Sequence, residues 1–220
     1  MSEIILILGK SGSGKSYACR NLDPETTLLV SVDGKRYPFP AKGWDRLTAD
    51  NEGGSLYHPS HSGSKGYSQI KKASEVAISK GKKTIVLDDT QFLMANEFFA
   101  RAHEKSFDKF VDMGAGFHSL IVWARNLPED VIVYFLHHSE FDSDGSYKVK
   151  TCGKMLDNQT SIEGKFTICL QARKNESMYE LASDVPNESI FKCPPDLLPR
   201  EPMENDLKML DDSIRGYWGM

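Results

Sequence analysis

The chain's first candidate chemistry is Gly9-Lys10-Ser11-Gly12-Ser13-Gly14-Lys15-Ser16, which reads G-x-x-x-x-G-K-S. Glycines at this spacing let the backbone curl so that successive N–H groups point inward at phosphate oxygens. Lys15 would then reach the β and γ phosphates of a nucleoside triphosphate, and the Ser16 hydroxyl would ligate Mg²⁺. Tyr17, directly behind, belongs to the same nucleotide-binding stretch. A second group stands far downstream, where Thr84-Ile85-Val86-Leu87 runs into Asp88-Asp89. A carboxylate at the end of a buried strand can reach the metal held by a bound triphosphate, so Asp88 is expected to serve Mg²⁺, with Asp89 beside it able to orient a water. Two further candidates close strand-like runs: Asp33 after Thr27 to Val32, and His137-His138 after Val131 to Leu136.

These groups work only if the elements behind them bring them together. Ile4 to Leu8, Thr27 to Val32, Thr84 to Leu87 and Val131 to Leu136 are continuous apolar runs, the pattern of strands buried on both faces. Helical spacing lies between them: residues 17 to 22 suit the helix the loop needs, and Ser68 to Lys80 is amphipathic and stops at Gly81. Residues 90 to 111 read as one aromatic-rich helix, a break follows over 107 to 116, and the pattern resumes from His118 to Arg125. Alternating strands and helices imply a mostly parallel α/β sheet with helices on both faces, whose ligands bind outside the carboxyl ends of the strands. That rule gathers Gly9 to Ser16, Asp33, Asp88, Asp89, His137 and His138 at one edge.

Residues 35 to 67 form a long glycine- and proline-rich excursion, of the kind that in a compact domain is usually functional or mobile. The last third changes character: Tyr147 to Lys150, Phe166 to Ala172, Met178 to Ala182 and Ser189 to Lys192 read as short strands added antiparallel. The expected organisation is one core over 1 to 193, then a proline-rich linker and a C-terminal helix over 194 to 220. A net charge of −4 argues against a protein that coats nucleic acid through overall basicity. A local patch exists instead, with Lys148, Lys150, Lys154, Lys165, Arg173 and Lys174 against Asp157 and Glu163. No apolar run is long enough for a membrane span, and the four cysteines form no C-x-x-C pair, so the expectation is a cytoplasmic protein with reduced thiols.

The stretches GKSGSGKS, LLVSVDGKRYPF, TIVLDDTQFLMANEFFARAHEKSFDKF, VIVYFLHHSE, KVKTCGKMLD and EGKFTICLQAR together resemble the core-only RecA-like ATPases of tailed phages. Proteins of that family act in single-strand annealing and homologous recombination of phage DNA. The resemblance spans residues 3 to about 173. It implies a P-loop NTPase fold, ATP and Mg²⁺ as cofactors, a homo-oligomeric ring or filament, and residence in the host cytoplasm. It implies Asp33 as the carboxylate that orients the attacking water, although the family pattern has Glu there. It also implies His138, or its neighbour His137, as the sensor of the γ-phosphate. Single-stranded DNA would meet two loops, about 106 to 118 and 142 to 154, with Lys148, Lys150 and Lys154 on phosphates and Phe107, Phe110 and Tyr147 on bases. A single-strand-binding protein is a further expected partner. Two other readings of the same residues are a P-loop kinase acting on a small acceptor, with 35 to 67 as its lid, and a nucleotide-gated oligomeric scaffold with little hydrolysis.

Overall fold

The computed structural model describes residues 1–60, 64–152, 160–176 and 178–220. Its centre is a nine-stranded, mostly parallel sheet in the order β3-β2-β4-β5-β1-β7-β8-β9, with β6 paired to β5. The strands are β1 (Glu3–Gly9), β2 (Thr27–Ser31), β3 (Leu56–Tyr57), β4 (Thr84–Asp88), β5 (Ile132–Phe141), β6 (Tyr147–Val149), β7 (Ile168–Asn175), β8 (Met178–Ala182) and β9 (Met203–Glu204). Strands β1 to β5 and β7 pair in parallel, whereas β6, β8 and β9 join antiparallel.

Alternation along β1 explains why the sheet is covered on both faces. Ile4, Leu6 and Leu8 enter one apolar cluster with Ile70 and Ala77 of α1 (Lys65–Ser79), Leu93 and Met94 of α2 (Gln91–Ala100), and Phe117, Leu120 and Ile121 of α3 (Asp108–Arg125). Ile5 and Ile7 point the other way, into a cluster with Ala18, Leu29, Tyr134 and Leu136 and with Leu207, Leu210 and Ile214 of α4 (Leu207–Trp218). The last helix is therefore part of the core. Asp206 caps its start by accepting from the Lys208 and Met209 amides. Buried Asp211 accepts hydrogen bonds from Thr84 at 3.2 Å and Tyr134 at 3.1 Å and pairs with Arg215 at 2.6 Å, which ties α4 to β4 and β5.

Several sequence expectations need correction. Phe166 to Ala172, expected as an antiparallel addition, falls largely in β7, which pairs in parallel with β1 at Ile5 to Leu8. The segment after the loop at Gly9 to Ser16 is a six-residue 3₁₀ turn, Ser16–Asn21, which ends where Leu22 turns extended. The helical break falls over 101 to 107. Arg101 gathers Glu97, Glu104 and Asp112 at the end of α2, and Ser106 Oγ accepts from the Asp108 amide to start α3. Helix α3 then runs through Gly114 and Gly116, where a Cβ at Gly116 would stand 2.8 Å from the Tyr67 ring of α1, so glycine serves close helix packing here. Most of the stretch expected as a first DNA loop, 106 to 118, is thus helical. Strand β5 extends through both histidines to Phe141, because β6 pairs with its end. Finally, Ser189 to Lys192 contributes a single bridge, Cys169 to Lys192, rather than a strand.

Candidate functional site

Parallel register sets the site. Gly9 lies opposite His138 across β1 and β5, and Ser31 lies opposite Asp88 across β2 and β4. Strand β5 separates β1 from β4, so His138 stands between the loop at Gly9 to Ser16 and the two aspartates. The carboxyl ends of these strands open into a cleft of about 470 Å³ lined by Ser11 to Tyr17, Ser31, Lys35, Arg36, Tyr37, Pro38, Asp88, Asp89, His138 and Tyr179. That volume is in the range of small-molecule sites.

The loop has the conformation its glycines imply. Gly12 and Gly14 adopt φ of 78° and 91°, a region unfavourable to side-chain-bearing residues. Gly9 has no room for a side chain, since a Cβ would collide with Ser13 and with the Ala172 carbonyl. At Gly14 a Cβ would stand 2.7 Å from the Tyr179 ring, and the Gly14 carbonyl accepts a 2.8 Å hydrogen bond from Asn205. Lys10 lies 4.4 Å over the Phe141 ring, which joins the loop to the end of β5. With only a short 3₁₀ turn behind it, the loop presents its own amides and Lys15, with little help from a helix dipole.

Lys15 is buried and folds back over the loop, donating to the Gly9 carbonyl at 2.8 Å and the Lys10 carbonyl at 3.0 Å. Burial lowers its pKa to about 8, against the pull of Asp89 and Asp88. Ser16 Oγ donates to Asp88 Oδ1 at 3.1 Å, bringing together two oxygens 72 positions apart in sequence. Burial, reinforced by the neighbouring Asp89 charge, pushes the Asp88 carboxyl up to about 7. Burial acts on Asp89 in the same direction, but hydrogen bonds from His138 at 3.0 Å and Lys35 at 2.8 Å outweigh it and hold Asp89 down to about 2. Asp89 also adopts φ of 62°, a left-handed conformation that Asp tolerates better than most residues. A half-buried hydroxyl and two adjacent carboxylates offer the hard oxygen donors a divalent cation such as Mg²⁺ prefers, so these residues fit that ion.

The two histidines separate. His138 lines the cleft and touches Asp89, whereas His137 is wholly buried behind it. His137 Nε2 donates to the Lys150 carbonyl at 2.7 Å, and Nδ1 lies 2.8 Å from Thr90 Oγ1. Burial lowers the His137 pKa to about 4, so it is neutral and structural. It ties the residue after Asp89 to the end of the 142 to 150 hairpin. Asp33 stands two residues beyond the end of β2 and does not line the cleft; it pairs with Lys35 at 3.3 Å. On the hairpin, Lys148 pairs with Glu140 at 3.0 Å and Lys150 is exposed. Tyr147 packs between Phe141 and Phe191, while Phe107 is 83% exposed. Lys154 lies outside the described residues.

Sequence reasoning missed Lys35, Arg36, Tyr37, Tyr179 and Asn205. The first three follow the Asp33-Gly34 turn, where the glycine at φ of 68° turns the chain back over the cleft, so the turn was the available signal. Tyr179 and Asn205 come from the antiparallel additions, and their local sequence carries no mark of a ligand site. No protein-family model matches the chain, and no curated protein matches it. The fold is α/β with a mostly parallel sheet, and no described helix is long and apolar enough to cross a membrane.

Proposed function

We propose that this chain is a Mg²⁺-dependent, ATP-binding and ATP-hydrolysing protein of the RecA-like P-loop class that binds single-stranded DNA and promotes annealing or recombination of phage DNA. The observation that carries the nucleotide half is the meeting of Ser16 and Asp88 at 3.1 Å beside buried Lys15, under a loop with two left-handed glycines. Loop amides and Lys15 would bind the β and γ phosphates, Lys15 exchanging its two carbonyl partners for phosphate oxygens. Ser16 and Asp88 would hold Mg²⁺, which when bound neutralises charge on the phosphates. Asp89, kept ionised by His138 and Lys35, is the base placed to orient a water, and His138 links that carboxylate to the end of β5. The position of Asp33 outside the cleft lining favours Asp89 over Asp33 in this role. The DNA half rests on the sequence resemblance and on the hairpin that carries exposed Lys150 next to Lys148.

A second reading follows from the same placement of Asp33. A site in which the carboxylate after the second strand is turned to Lys35 suits slow turnover, as in a nucleotide-gated oligomeric scaffold. Measuring ATP hydrolysis with and without single-stranded DNA, for the wild type and Lys15→Ala, decides among the readings. The expected result is hydrolysis stimulated by DNA and abolished by Lys15→Ala. Hydrolysis unchanged in Lys15→Ala removes the site assignment. Tight ATP binding with negligible turnover selects the scaffold, and phosphate transfer to a small acceptor selects the kinase.

A further inference from the structure

A second groove of about 520 Å³ lies beside the cleft and shares Tyr17 and Tyr179 with it. Its remaining walls are Arg20, Met178, Glu180 and the segment Pro202 to Asn205. The two tyrosine rings face each other at 5.9 Å with planes tilted by 48°, an open pair rather than a closed stack. Arg20 lies 4.6 Å over the Tyr17 ring and is itself fixed by Glu204 at 2.6 Å and by the Asn205 carbonyl. Tyr179 rests against Gly14, and the Asn205 amide holds the Gly14 carbonyl. Both walls of the groove are therefore anchored to the loop expected to hold the phosphates.

We propose that this groove is the nucleobase subsite of the bound nucleotide, with the base stacked on Tyr17 and Tyr179. The proposal rests on the nucleotide-binding reading above and adds to it where the base lies and what selects it. A triphosphate held by Gly9 to Ser16 leaves its ribose and base to exit along the loop, and the groove that adjoins the cleft there is walled by aromatic rings. Stacking is tolerant of base identity but scales with ring area, so the groove takes purine nucleotides in preference to pyrimidine nucleotides. Arg20, bridging the Tyr17 ring to β9, is a positioning residue that keeps one wall upright.

The test is calorimetric titration, in the presence of Mg²⁺, of the full chain with inorganic triphosphate, a non-hydrolysable ATP analogue and the corresponding UTP analogue. Expected are tighter binding of the ATP analogue than of triphosphate or the UTP analogue, and a fall in the ATP-to-triphosphate affinity ratio of about 5- to 100-fold in Tyr179→Ala and in Tyr17→Ala. Tyr179→Phe should restore the ratio, because the ring and not the hydroxyl stacks. If Tyr179→Ala disturbs the loop and loses triphosphate as well, Tyr17→Ala and the purine preference of the wild type decide. Triphosphate binding with an unchanged ATP ratio in both alanine variants overturns the base subsite and leaves the phosphate site standing. Wild-type protein that binds neither triphosphate nor ATP overturns both.

Discussion

Replacing Asp88 with Asn should make the nucleotide-free protein more stable while destroying its response to Mg²⁺ and ATP. Asp88 is 5% exposed, and burial beside Asp89 pushes its carboxyl from 3.8 to about 7. Between those values the folded chain keeps a proton that the unfolded chain has released. The stabilisation of the protonated carboxyl is therefore complete below pH 3.8 and lost as pH rises to about 7. At about 1.4 kcal/mol per pH unit, some three units correspond to an upper limit of about 4 kcal/mol at pH 8. Asn removes the charge and keeps an oxygen for Ser16 Oγ. Asp88→Asn should thus gain about 2 to 4 kcal/mol at pH 8, a rise in Tm on the order of 5 to 10 °C, and about 1 to 2 kcal/mol at pH 5. Scanning calorimetry of both proteins at the two pH values, with and without excess Mg²⁺ and ATP, reads all of this. A variant that melts below the wild type at pH 8, or gains equally at both pH values, would refute the view that a buried charge is being held against its solvation cost. A variant that still gains stability from Mg²⁺ and ATP as the wild type does would remove Asp88 from the metal.

Other outcomes follow from the same geometry. His137, held down to about 4, binds no proton where the unfolded chain does between pH 6.5 and 4, so acidification across that window should cost about 3 kcal/mol. That slope opposes the Asp88 slope, so it should emerge clearly in Asp88→Asn and vanish in the Asp88→Asn, His137→Gln double variant; persistence there would assign it elsewhere. Gly14→Ala must place a Cβ at φ of 91° against Tyr179, and titration should find ATP binding weaker by about tenfold or more, whereas wild-type affinity would mean the loop is not held as described. Replacing Lys148 and Lys150 with Ala should reduce the slope of log affinity for single-stranded DNA against log salt by about 1.4, and an unchanged slope would return the hairpin to an ordinary solvated surface.

The strands that carry the site were legible because each is an uninterrupted apolar run buried on both faces, a pattern that survives without knowledge of its neighbours. The loop at Gly9 to Ser16 and the Asp88-Asp89 pair stood out for a similar reason, since each is a run of contiguous residues. What failed depended on distant partners. Glycines 114 and 116 looked like breakers until Tyr67 of another helix proved to need the space at Gly116. The strand expected over Val131 to Leu136 runs on to Phe141 because β6, a separate segment, gives its end a ladder. Of two adjacent histidines, only the burial of His137 against Lys150 and Thr90 distinguished the structural one from the one in the cleft. Asn205 and Tyr179 stood out least, because their part is to support a backbone laid down some 165 to 190 residues earlier.

That last contact carries a consequence for how the protein is made. The loop at residues 9 to 16 leaves the ribosome well before its support does: the amide that pins its Gly14 carbonyl belongs to residue 205, and the helix that covers its neighbour Ala18 starts at residue 207. A nascent chain halted before Asn205 would carry every residue of the phosphate loop and both aspartates without the strut that fixes the loop's shape. On the nucleotide-binding reading, competence to grip the ligand should therefore arrive abruptly, once residues 203 to 210 dock, and tags or fusions placed within 203 to 210 should silence the protein from far outside the loop at residues 9 to 16.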